Sequence, residues 1–532
     1  MACDEVSRPL KETFSTETSR DHFDQEDFAE LLHACIPEVH QLTDSASIPA
    51  TLRLAALYTA NHFQTLWLQE DGSAPKATQL LKEIHEIRYD GLSPADYQYD
   101  SLQYKLQQFL QSPFTEVEEV VALDTLLTAT YLHLANDLLM GVISPHAVDT
   151  SWHHPNDSFF YWNEIVEACS ENNYFPLDSF KSAWKLYNLL RDTWQHYESL
   201  SADSLYLSLQ RHIDTAISPG DSLLAALALM EIPWLEPISD SIKGHRKYIQ
   251  AYQQCFGLRR TGKTDSMTLA TLREHPLKKL SRIKVNLERI RWLPRTFADN
   301  YIVVNIPAME LTFHRQDEEP MRMLTVVGTR ARQTPSLMAP LRQIVINPPW
   351  GVPPTILKKD VIPGLHREGL AYLHKKGLKV YNAKGEEIDP ATMDHTNYKQ
   401  YFFRQPPGAD NALGYVKFNM PNIWDIYLHD TPNRNDFTKY DRAKSSGCIR
   451  IEAPRQMAAY ILTSLEKRRY PQERIDSVIA LKKTRWEPVR TYIPVHIVYI
   501  TAVEDATGAH VKFTRDIYRK DEILVKALQS RH

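Results

Sequence analysis

The chain has 532 residues, of which 43% are hydrophobic and 24% charged, and a formal net charge of −5 at pH 7. That length provides for more than one domain with full cores, and the scattered, nearly balanced charge excludes a nucleic-acid binder built on a basic stripe. An apolar run of about eighteen residues, the minimum for a membrane-spanning helix, is absent. The closest approach, Val117 to Ile143, is interrupted by Asp124, Asn136 and Asp137 and reads as a core helix.

The first two hundred or so residues carry helical periodicity. Asp24 is placed to cap a helix whose Phe28, Leu31, Leu32 and Cys35 recur at i, i+3, i+4 and i+7. Apolar stripes at Leu52 to Trp67, Thr125 to Leu139 and Phe180 to Trp194 predict further core helices, while His153-His154 beside Trp152 reads as a loop. From Ser218 to Leu277 the pattern shortens to Ser-Pro-Gly-Asp, then Ile249-Gln-Ala-Tyr-Gln-Gln-Cys-Phe-Gly-Leu258, then Thr261-Gly-Lys-Thr-Asp. Lys278, Lys279, Arg282, Lys284, Arg289 and Arg291 are expected to form the solvated face of one helix.

Alternation takes over from Tyr301, where Ile302 to Ile306, Leu324 to Val327 and Ile344 to Ile346 predict strands. The prolines of Asn347-Pro-Pro-Trp and Val352-Pro-Pro cannot donate ladder hydrogen bonds, so the chain is expected to leave the sheet there. It returns at Gly414 to Met420, which makes residues 353 to about 412 an insertion, with a helix over Leu365 to Lys375 and turns near Ala383-Lys-Gly-Glu. Trp424 to His429 is read as the next strand, Pro454 as the first turn of a helix, and Val495 to Ala502 and Val511-Lys-Phe as closing strands.

The chemistry concentrates in Tyr427-Leu-His-Asp-Thr-Pro and Ser445-Ser-Gly-Cys-Ile-Arg450. A thiol becomes a strong nucleophile only when it loses its proton, so acyl transfer by Cys448 wants the His429 imidazole nearby and amides aimed at the developing oxyanion. The other cysteines, Cys3, Cys35, Cys169 and Cys255, form no CxxC pair or metal-ligand spacing, so no metal and no cofactor is expected. A calcium loop starting at Asp430 is excluded because Pro432 stands at a ligand position.

His-Asp-Thr followed by Ser-Ser-Gly-Cys-Ile-Arg resembles the signature of the L,D-transpeptidase catalytic domain of the YkuD type. Two departures stand out: Asp430 where glycine is common, and Ser446 where histidine is common. Asn286-Leu-Glu-Arg-Ile-Arg-Trp292, Val304-Asn-Ile-Pro307, Asn347 to Ile356 and Gln405 to Pro421 also resemble blocks of the large, multidomain branch of that family. The 218–277 segment is similar to a small three-helix peptidoglycan-binding module, with Thr261 in place of the usual Asp and a threonine-capped last helix.

The resemblance implies an α+β protein in three parts: a helical scaffold (1–217), a peptidoglycan-binding-like module (218–277) and a mainly β catalytic domain (278–532) with a capping subdomain inserted at about 353–412. It implies Cys448 as nucleophile, His429 as acid and base oriented by a backbone carbonyl, and the Gly447 and Cys448 amides as oxyanion hole. Ser445, Ser446, Tyr427 and Tyr415 would line the substrate cleft, and Arg450 would either bind a substrate carboxylate or brace its loop. The implied activity is a 3-3 cross-link between diaminopimelate residues of peptidoglycan stem peptides. A carboxypeptidase or amidase on the same stems is the alternative enzyme, and an inactive peptidoglycan-binding scaffold the alternative from another class. Stem peptides and cell-wall synthesis proteins are the expected partners, with no nucleic acid. Met1-Ala-Cys-Asp lacks a signal peptide's charged and apolar regions. The family implies the periplasm, so the export segment is expected to be missing from this chain, with Ala2-Cys3 as a possible lipoprotein remnant and a membrane link only through such an anchor.

Overall fold

The structure is a computed structural model that describes residues 23–37, 49–112, 114, 116–155, 161–171, 173–215, 220–232, 234–235, 242–394, 397–505 and 507–530. Cys3, Ser218 and Pro219 lie outside the described residues, as does the side chain of Cys169. The chain divides into two compact units, one of Met1–Arg88, Leu92–Leu138 and Ser158–Lys181, the other of Tyr89–Gly91, Leu139–Asp157 and Ser182–His532.

In the first unit, Asp24 caps the helix Gln25–Cys35 by accepting from the Glu26 amide, and Phe28 and Leu32 are buried. Cys35, expected on the same stripe, is exposed in the last turn. The long helix Val117–Met140, which belongs to this unit as far as Leu138, carries the acidic interruptions that broke its apolar run. Asp124 is fully buried and accepts from the Tyr58 hydroxyl at 2.6 Å and from the amides of Leu66, Trp67 and Leu68 at 3.1, 3.0 and 3.2 Å. Burial pushes its pKa up and these bonds pull it down. The carboxylate therefore anchors a turn of irregular backbone whose amides would otherwise be orphaned. Among the described residues, no helix is long and apolar enough to cross a membrane.

The second unit joins helices to the sheet. Its basic helix, Pro276–Arg291, departs from the solvated face expected for it: Lys279, Arg289 and Arg291 are only 0, 4 and 4% exposed. Helices packed on both sides supply two of the missing carboxylates, so Lys279 pairs with Glu231 and Arg289 with Asp521 at 2.5 Å, while Arg291 pairs at 2.9 Å with Glu288 of its own helix. Within the 218–277 segment, the buried Gln253 donates to Thr261, Lys263 and Thr268 and accepts from the amides of Thr261 and Gly262. The last helix of that segment, Ser266–Leu272, is capped by Asp265 rather than by a threonine. These helices share one apolar core with Val498, Ile500, Val511 and Phe513.

The main strands are β1 (Tyr301–Asn305), β2 (Glu310–Arg315), β3 (Glu318–Gly328), β4 (Leu337–Pro340) and β5 (Gln343–Ile346). A small sheet of β6 (Trp350–Gly351), β7 (Lys379–Tyr381), β8 (Glu387–Ile388) and β9 (Phe402–Gln405) follows, its last three strands in the insertion and β6 just before it. The main sheet resumes with β10 (Val416–Asn419), β11 (Leu428–His429), β12 (Ala443–Ser445), β13 (Ile449–Ile451), β14 (Arg485–Pro488) and β15 (Pro494–Val498). Its order is β14-β5-β10-β11-β13-β3-β2-β1-β15-β4, with β12 beside β3. The strand expected over Trp424 to His429 shrinks to two residues because Asn422 folds the preceding segment into a turn, its side chain accepting from the amides of Trp424 and Ile426. His153, expected in a loop, forms a single parallel bridge to Leu337.

The insertion has its own apolar core of Val361, Leu365, Leu373, Val380, Phe403 and their neighbours. Its expected single helix is broken at Gly369, whose φ of +61° separates Ile362–Glu368 from Ala371–Lys376, and a π-helical turn, Leu357–Val361, precedes them. A closing helix, Lys520–Gln529, was not signalled by the strand-rich text around it.

Candidate active site

Strand parity assembles the site. In β10 and β13 the residues Val416, Phe418, Ile449 and Ile451 are fully buried in the main core, as is Leu428 of β11. Their alternates must face the other side of the sheet. Lys417 is aligned with His429 across the antiparallel pair, and His429 with Arg450 across the parallel one. Lys417, Tyr427, His429, Cys448 and Arg450 therefore share one face.

His429 is 5% exposed, and its Nδ1 lies 2.5 Å from the Asp430 carbonyl. A carbonyl can only accept, so Nδ1 carries the proton and Nε2 is left as a base. Burial, with the Arg450 and Lys417 charges adding to it, holds the imidazole neutral with a pKa lowered to about 3. The Asp430 side chain explains its departure from glycine. It accepts from the amides of Tyr415 and Thr431 and from Arg434, lashing β11 to β10. Gly414, at φ +59°, makes this possible, since a Cβ there would stand 2.6 Å from the Asp430 carboxylate.

Cys448 is partly buried, and burial pushes its thiol up, opposed by the Tyr427 amide and hydroxyl and by the Lys417 charge. Its Sγ lies 3.8 Å from the Asp425 carbonyl, and among the described residues no hydrogen bond joins it to His429. Catalytic bonds often tighten only when substrate is bound. Gly447 has φ +123°, a backbone that strains any other residue, whereas a Cβ would meet nothing closer than 3.5 Å. Conformation rather than space demands glycine here. The Gly447 amide, expected in the oxyanion hole, donates instead to Ser445 Oγ at 3.1 Å, while Ser445 Oγ donates to the Cys448 carbonyl at 2.6 Å. Of the two expected amides, the Cys448 N–H is the one without such an acceptor among the described residues.

The remaining expected residues divide. Tyr427 sets its ring edge-on to His429 at 5.6 Å and its hydroxyl between Cys448 and Trp350 of β6. Ser446 is exposed and its Oγ accepts from Arg332 at 2.9 Å. Arg450 pairs with Asp436 at 3.1 Å, which makes it a brace for its loop. Tyr415 stands apart, its ring under the Arg455 guanidinium at 5.1 Å and packed on the main core.

Three residues were missed from sequence. Lys417 rests its ammonium 3.9 Å from the centre of the Tyr427 ring. Its signal was parity, since it sits between the two apolar residues of its strand. Thr334 donates to the Gly447 carbonyl at 2.7 Å and is itself held by the Tyr518 hydroxyl, which accepts from its amide and donates to the Gly328 carbonyl. No local pattern foretells that brace. Among the described residues, no cluster of His, Cys, Asp or Glu could hold a metal.

The fold and this face define a mainly β catalytic domain attached to a helical scaffold. Residues 299–495 match the profile of the L,D-transpeptidase catalytic domain, YkuD, and residues 53–193 that of a scaffold domain. The chain carries an L,D-transpeptidase catalytic domain. A curated protein of Haemophilus influenzae, named "Putative L,D-transpeptidase", is 36% identical over 224 residues, which cover 42% of this chain and 44% of that protein. The chain thus aligns with less than half the length of that relative.

Proposed function

We propose that this protein forms 3-3 cross-links between diaminopimelate residues of neighbouring peptidoglycan stems through a thioester on Cys448. The observation that carries the reading is the placing of Cys448 and His429 on one sheet face, with the Asp430 carbonyl fixing His429 Nε2 as the free base. The thiol proton passes to His429, and the thiolate attacks the carbonyl preceding the terminal D-alanine of a tetrapeptide stem. A carbon–sulfur bond forms, the carbon–nitrogen bond breaks, and D-alanine leaves as an amine protonated by His429. The side-chain amine of a second diaminopimelate then attacks the thioester and gives its proton to His429, and the thiol is released. The Cys448 amide stabilises the oxyanion in both halves. Ser445 and Gly447 hold the loop, and Tyr427, Ser446 and the insertion bound the stem. Peptidoglycan stems are cross-linked outside the cytoplasmic membrane, which supports a periplasmic site of action, among cell-wall synthesis proteins that make the same polymer.

Purified muropeptides incubated with the protein and resolved by mass spectrometry test the reading. Cross-linked dimers are expected from the wild type, and Cys448→Ala is expected to lose turnover by on the order of 10³-fold or more. Shortened monomers without dimers would assign a carboxypeptidase, and no change would leave a binding scaffold. A carbapenem is expected to add once, at Cys448, in intact-mass and peptide analysis, and an adduct at Cys255 would overturn the assignment.

A further inference from the structure

His429 and Arg450 leave a gap in the electrostatics of this face. A neutral imidazole offers no positive charge to a thiolate next to it, and the Arg450 guanidinium is already paired with Asp436. Lys417 differs from both. It is partly buried, and among the described residues its Nζ makes no ion pair and no hydrogen bond. It is held by the face of the Tyr427 ring, whose hydroxyl is turned to Cys448. An ammonium removed from water without an acceptor is costly. Such a charge is retained where an anion forms during the reaction.

Taking the Cys448 nucleophile as given, we propose that Lys417 is the positioning cation of the site: held on the Tyr427 ring, it offsets the negative charge that appears on Cys448 when the thiol ionises. The proton leaves to His429 Nε2 or to solvent, and the ammonium keeps its own. The groups that face Cys448 are His429 from β11 and Tyr427 just before it, Arg450 with its partner Asp436, Asp425 from the preceding turn, and Lys417 from β10. Only Lys417 among them brings an uncommitted positive charge. It also helps to hold His429 neutral, so that one cation favours the thiolate and keeps the base unprotonated.

The pH profile of Cys448 alkylation by iodoacetamide, read peptide by peptide by mass spectrometry, tests this without reference to turnover. Lys417→Met is expected to move the inflection upward by about one unit, roughly tenfold slower alkylation near neutral pH, and Lys417→Arg to restore it to within about twofold. Cys255 reports folding in the same digest, since burial pushes its thiol up to about 12 and it labels only if the core opens. Coincident profiles for wild type and Lys417→Met, with Cys255 protected in both, would overturn the proposal. If Lys417→Met exposes Cys255, Lys417→Gln is read in its place against the same two outcomes. Failure of wild-type Cys448 to alkylate at any pH, with turnover intact in Cys448→Ala, would instead overturn the nucleophile assignment on which the proposal rests.

Discussion

Two lysines in the second unit lie against aromatic rings, and they differ in what neutralises them. Lys279, fully buried among the helices, points into Tyr197, Tyr252 and Phe256 and pairs with Glu231, whose other oxygen accepts from the Tyr206 hydroxyl. Lys417, on the catalytic sheet, has the ring of Tyr427 and no carboxylate. In the helical core every part of the charge is answered, as a structural ion pair requires. In the sheet the answer is withheld, and the unanswered charge sits beside the thiol. A buried cation is thus read by its pairing rather than by its burial.

The largest effect expected from that difference concerns stability. Lys279→Met leaves Glu231 buried without its cation and should cost about 3–5 kcal/mol, as breaking a buried pair does. Lys417→Met orphans no carboxylate and should cost within about 1 kcal/mol. Denaturant unfolding of both variants checks this. Equal losses would make Lys417 a structural residue and erase the contrast.

The same contrast shows how much could be read in the text. The local geometry of the candidate loop was legible because its requirements are local: a glycine at φ +123°, a cysteine beside it, a histidine followed by the carbonyl that holds its Nδ1. The exit from the sheet was legible from prolines. Lys279 was misread as solvated because its burial depends on Glu231, far away in sequence, and helical spacing alone does not reveal a second packed face. Lys417 was passed over because its neighbour is set by the register of β10 against β11. Arg450 could not be assigned until Asp436 was located. What failed was long-range pairing of charges, in both regions.

A second, smaller effect sharpens the comparison through histidine. His429 is held neutral partly by its cationic neighbours, whereas burial alone lowers His496 to about 4. In both, the unfolded chain binds the proton more readily. Stability is therefore complete above the unperturbed pKa of 6.5 and falls as pH drops from there toward the folded values. Each contributes a loss of roughly 1.4 kcal/mol per pH unit over that window, and His154, lowered to about 3, acts in the same direction. Thermal melting between about pH 7.5 and 3 should show the decline, and Lys417→Met should soften it at the acid end, near the folded pKa of about 3, by letting His429 accept its proton at a higher pH. An unchanged slope in that variant would mean that burial alone sets the His429 protonation state.

The smallest effect concerns a third cation, paired but only partly buried. Arg332, in the loop after β3, holds Asp360 of the π-helical turn by two bonds of 2.6 and 2.7 Å, and reaches Ser446 at 2.9 Å. It joins the insertion to the residue two places before Cys448. A half-exposed pair contributes little to stability, about 0.2–1 kcal/mol, so global unfolding of Asp360→Asn should scarcely change. Its consequence should lie in water access. Thioester partition between an amine and water depends on how firmly the insertion covers the loop. Asp360→Asn is expected to raise hydrolysed monomers over dimers by about threefold, near 0.7 kcal/mol, while small electrophiles label Cys448 at the wild-type rate. Replacing the insertion with a short Gly/Ser bridge should push the product ratio further the same way. If dimers persist at the wild-type ratio in both, the insertion is a spacer, and the choice between amine and water is made on the sheet face that Lys417, His429 and Cys448 share.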